Sequence, residues 1–95
     1  GKIEYSFRSA SGLKNGQVLA NDEELSATGA GEVGFHIQDA SGADIQYDNG
    51  YLYETPQEAV HGKNPITLNI KPMKYGENIR TGEMKSRVII VVNNN

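Results

Sequence analysis

The chain has 95 residues and a net charge of −3, a length that allows one domain, residues 1–95, with a thin core. It contains no cysteine, which excludes disulfides, thiolate nucleophiles and cysteine-ligated zinc. No Lys/Arg cluster supplies the electrostatic footprint of a nucleic-acid binder, and the longest apolar run, Val88–Val92, is far shorter than the ~20 residues that span a bilayer.

Period-two alternation is the dominant signal. Ile3, Tyr5 and Phe7 alternate with Lys2, Glu4, Ser6 and Arg8, the pattern of a half-buried strand. Asn15-Gly16 is a tight-turn dipeptide. Asn21–Glu24 reads as a single capped turn, with Asn21 as the cap and Glu24 reaching back, stopped by the glycines of Thr28–Gly31. Val33, Phe35 and Ile37 form a second alternating run, which turns His36 toward solvent or a polar rim. Asp39–Gly42 is a linking turn, and Asp48–Gly50 predicts a short hairpin between Tyr47 and Tyr51. Ile66, Leu68 and Ile70 form a third run. Pro56, Pro65 and Pro72 are expected at loop or strand ends, where a missing N–H does least harm. The last run, Val88–Val92, is apolar on both faces, which suits a strand covered from both sides or paired with a strand from outside this segment. Short strands separated by frequent turns predict an all-β sandwich, with Phe35, Ile37, Leu68, Ile70 and Ile90 between the sheets.

The candidate chemistry is sparse. Asp22, Glu23 and Glu24 are the densest acidic group, and Asp39, Ser41, Asp44 and Asp48 have a calcium-like composition. Calcium needs six to eight converging oxygens, so the first group reads as a solvated loop; the second lacks the spacing of a calcium loop and is explained by turn duty. His36 and His61 come with no nucleophile or metal motif. The expectation is therefore a non-catalytic protein with no metal and no cofactor. Tyr47, Tyr51 and Tyr53 are the candidate ligand contacts: they either stack on a sugar or peptide or half-bury a strand with their hydroxyls wet.

The segment Gly31–Ile45 resembles the central hairpin of bacterial chaperone–usher fimbrial subunits, where Gly-Val-Gly often precedes alternating apolar residues, Asp-x-x-Gly and a short apolar strand. Ile66–Tyr75 is similar to the family's next-to-last strand with its closing aromatic, Thr81-Gly82-Glu83 to the turn that follows, and Lys85–Val92 to the final strand. The family's cysteine pair is missing, and the chain ends in Asn93–Asn95 where many members carry an aromatic. Family domains also begin earlier, with a donor extension and two strands, so the chain resembles either the C-terminal portion of a subunit or a shortened relative. The resemblance implies an incomplete immunoglobulin-like sandwich completed by a donor strand, with Val88, Ile89, Ile90, Val91 and Val92 at the edge of the donor groove. It also implies a periplasmic chaperone and neighbouring fimbrial subunits as partners, a host receptor or glycan where the subunit is adhesive, and display on the bacterial surface. A carbohydrate-binding or adhesive sandwich unrelated to fimbriae is the alternative.

Overall fold

The computed structural model describes residues 1–94; Asn95 and the side chain of Asn94, the end of the asparagine tract, lie outside the described residues. The first alternating run forms β1 (Ile3–Arg8), which buries Tyr5 and Phe7 and leaves Arg8 exposed. β2 (Leu13–Lys14) and β3 (Val18–Leu19) are joined by a turn with Asn15 at φ 53° and Gly16 at φ 73°, the left-handed region these two residue types tolerate. β4 (Val33–Asp39) packs so closely on β3 that a Cβ on Gly34 would lie 2.0 Å from the Leu19 carbonyl oxygen, so only glycine fits. β5 (Tyr53–Glu54), β6 (Leu68–Lys74) and β7 (Ile89–Asn94) complete the set.

The strands form two antiparallel sheets, ordered β5-β1-β7 and β2-β3-β4-β6, and the described residues contain no helix. The chain is therefore all-β, in an arrangement consistent with a β-sandwich. Tyr5 and Phe7 from the first sheet meet Leu19 and Ile37 from the second, with Ile45 and Tyr47 closing the cluster. Apolar burial of this kind is the main stabilising term, of order 1.5–3 kcal/mol for each fully buried large side chain.

Several expectations need correction. Ile70 and Ile90 do not lie in the closed core but are 57% and 39% exposed, because β6 and β7 are each the last strand of their sheet. Pro72 is not at a strand end but within β6, opposite Phe35. It is tolerated because the Tyr75 N–H donates to the Glu32 carbonyl (2.9 Å), one step beyond the Val33↔Lys74 pair. That bond sets the odd-numbered residues of β6 toward β4, so position 72 points away from the ladder.

No hairpin joins Tyr47 to Tyr51. Tyr47 instead bridges Phe7 in parallel, and the Asp48 N–H donates to the Phe7 carbonyl. The Glu24 carboxylate does not reach back to Asn21; it accepts the Glu32 N–H at 3.3 Å. His36 is buried rather than solvent-facing, because the Gln38↔Asp44 bridge brings Asp44 Oδ1 to 2.9 Å from its Nε2.

Candidate strand-binding cleft

Between β6 and the segment entering β7 lies an apolar cleft of about 210 Å³, lined by Leu19, Phe35, Ile37, Ile70, Ser86 and Val88. Its floor belongs to β3 and β4, and its two lips are the open edges of the two sheets. Strand parity decides what those edges present. On β1, the Ile3 and Phe7 carbonyls accept from Thr55 and Asp48 on the β5 side. Glu4, Ser6 and Arg8 therefore face β7, and their partners Asn93, Val91 and Ile89 direct their backbone groups to β1.

Ile90 and Val92 consequently turn N–H and C=O outward, where no strand of the described residues lies. Their side chains sit opposite Phe7 and Tyr5, on the core face. On β6, Leu68 and Ile70 have the same disposition, backbone outward and side chain on the Ile37 face. Exposure follows: Val92 is 55% exposed although it stands over a buried tyrosine. Buried backbone groups must be paired, so a strand entering here would supply hydrogen bonds and cover apolar surface at once.

The run Val88–Val92 thus divides. Val88, Ile90 and Val92 face the core side, whereas Ile89 and Val91 lie beside Arg8 and Ser6 on the other face. β6 differs in being guarded, with Lys71, Lys74 and the donor-less Pro72, whereas Ile89–Val92 has no charge and no proline.

The fold keeps the three tyrosines near one another but gives them different exposure. Tyr47 is buried, and its hydroxyl pKa is pushed up to about 12 by desolvation, with Tyr53, Asp44 and Asp48 adding to the shift. Tyr53 stacks on Tyr5 (5.7 Å between ring centroids), and its hydroxyl accepts the Gln46 N–H. Tyr51 stays exposed, its ring 4.8 Å from that of Tyr53. Tyr53 also lines a hollow of about 300 Å³ beside Asp39, Ser41 and Pro56.

The acidic residues are engaged in turns. Ser41 and the backbone around Ala43 hold the Asp39 carboxyl below its usual range, and Ser9 does the same for Asp48 through both hydroxyl and N–H. Asp22 is lowered by hydrogen bonds from Ser11 and Arg87. Among the described residues, no three His, Cys, Asp or Glu side chains are grouped to hold a metal ion, and His61 is exposed in the loop after β5.

Sequence reasoning read Asn21 as the turn cap that it is, but missed its long-range bonds. Its amide nitrogen donates to the Ala30 and Glu83 carbonyls (2.8 and 3.0 Å), and its oxygen accepts from Glu23 and Lys85 (3.0 and 2.9 Å). This fastens the segment that carries Ser86 and Val88 into the cleft. No family model matches this chain, and no curated protein matches it significantly.

Proposed function

We propose that this chain is a non-catalytic structural or adhesive subunit of a bacterial surface fimbria, an immunoglobulin-like sandwich left incomplete and completed by a donor strand. Its partners on this reading are neighbouring subunits and a periplasmic chaperone, and it is displayed outside the cell after passing through the periplasm. The observation that carries the reading is the apolar cleft bounded by two sheet edges whose outward backbone groups meet no strand of the described residues. Strand addition exploits such a site: main-chain hydrogen bonds give affinity, and alternate side chains in the cleft give register. The order of the hairpin, the two late strands and the turn between them, quoted above, supports the fimbrial form of it.

The test is a titration of the chain with synthetic peptides whose alternate residues are apolar, followed by calorimetry and thermal unfolding. Binding that raises the melting temperature supports the reading, by linkage of ligand to the folded state. If peptides of this pattern neither bind nor raise it, the reading fails.

A second reading, a carbohydrate-binding sandwich, rests on the hollow beside Tyr53 and on exposed Tyr51. Aromatic rings next to hydroxyl and carboxyl groups suit sugar stacking. Glycan-array binding abolished by Tyr51→Ala would favour it.

A further inference from the structure

Acidic residues outnumber basic ones in this chain, 12 to 9, yet the two lips of the cleft reverse that balance. Segments 66–76 and 84–94 contain Lys71, Lys74, Lys85 and Arg87 and not one Asp or Glu. Arg87 pairs with Asp22 at 3.0 Å, while no ion pair among the described residues engages Lys71, Lys74 or Lys85, all three exposed.

Parity places these charges. Lys71 lies on the face of β6 opposite Ile70, and Lys85 and Arg87 alternate with Ser86 and Val88, which line the cleft. A strand that turns apolar side chains into the cleft must turn its other side chains to solvent. A strand joined to β6 brings them beside Lys71, Lys74 falling on the Ile70 face. One joined to the segment entering β7 brings them beside Lys85 and Arg87, which share Asp22, whereas Ile89–Val92 adds no charge. Cross-strand neighbours of opposite charge attract and like charges repel.

We propose that the strand completing this cleft is anionic: apolar at the alternate positions that cover Leu19, Phe35 and Ile37, and bearing Asp or Glu on the face turned to solvent. The proposal rests on the strand-completion reading above and adds the chemistry of the partner. A second copy of the chain is a poorer occupant. Pairing two uncharged β7 edges extends the first sheet alone and leaves the floor at Leu19 and Phe35 and the Ile70 lip uncovered.

Three peptides test it, identical at the inward positions and carrying Glu, Ser or Lys at the outward ones. Calorimetric titration at low ionic strength is expected to rank them Glu, Ser, Lys, with Glu favoured over Lys by roughly fivefold. In about 0.5 M salt the difference should largely vanish, because exposed charges are screened. The variant combining Lys71→Glu and Lys85→Glu, both at exposed positions, should reverse the order without losing the Ser peptide. Equal binding of the Glu and Lys peptides alongside a bound Ser peptide overturns the charge inference and leaves strand completion standing. If none of the three binds, strand completion itself fails and this inference with it. A concentration-dependent dimer that excludes all three peptides makes a second copy the occupant and overturns the proposal.

Discussion

The side-chain oxygen of Asn21 accepts the backbone N–H of Lys85 at 2.9 Å, across 64 positions of sequence. With its other three bonds, Asn21 ties two loops together in a site where its side chain is 5% exposed. Removing it strands buried backbone donors and acceptors, so Asn21→Ala is expected to cost about 2–3 kcal/mol in chemical unfolding. Asn21→Asp should be no milder, because a carboxylate would face the Ala30 and Glu83 carbonyls. A cost below about 0.5 kcal/mol for both variants would show that the loops hold without it.

The closed core and the cleft should respond differently to truncation. Leu19→Ala removes a fully buried side chain and should cost about 2–5 kcal/mol. Ile70→Ala, at a side chain more than half exposed, should cost less than about 1 kcal/mol in the chain alone yet weaken peptide capture. Ile90→Asp should weaken capture more than Val91→Asp, since Ile90 shares the core face with Phe7 while Val91 lies beside Ser6. Equal effects of these two Asp variants would contradict the parity assigned to β7.

His36 is expected to matter more than an exposed histidine. Its ring is buried, with Nε2 2.9 Å from the Asp44 carboxylate. His36→Ala should destabilise by about 1–2 kcal/mol through lost packing, since its buried Nε2 makes no hydrogen bond among the described residues. Asp44→Ala should cost less, because that carboxylate is half exposed. Thermal unfolding of the two variants side by side checks the order.

Tyr47 buries a hydroxyl that finds no hydrogen-bond partner among the described residues. Tyr47→Phe should therefore be neutral or mildly stabilising at pH 7. The raised pKa has a direction in pH. Burial favours the neutral phenol in the folded state, so this contribution is intact below the ordinary value of 10.0 and is lost as pH rises through about 12. Base-induced unfolding should thus shift to higher pH in Tyr47→Phe, and an unchanged alkaline midpoint would refute the assignment. Tyr5 is shifted in the same direction and sets a residual alkaline loss.

Local chemistry was readable wherever it depended on neighbours in sequence. Alternation at Ile3–Phe7 specified a strand that buries Tyr5 and Phe7 on one face, because successive side chains on a pleated backbone point to opposite sides. Val33–Ile37 specified a strand although both of its faces carry buried residues. Asn15-Gly16 specified its turn because both residues accept positive φ. The Asp39–Gly42 turn formed as its residues required, with the Asp39 carboxylate collecting the Ser41 and Ala43 N–H groups.

Only the tertiary structure decided which strands have neighbours, and the cleft depends on that. Ile70 and Ile37 read alike in the sequence, each in an alternating apolar run. Yet Ile37 sits on a strand paired on both sides and is 4% exposed, while Ile70 ends a sheet and is 57% exposed. The same distinction sorts Tyr47 and Tyr53 from Tyr51, through contacts with β1 forty or more positions earlier. Asn21 was legible only as the turn cap that it is, because its other partners, Glu83 and Lys85, lie at the far end of the chain. Side-chain alternation is set by the geometry of a single strand. Burial is set by what lies across from it, which the long-range pairing of strands determines.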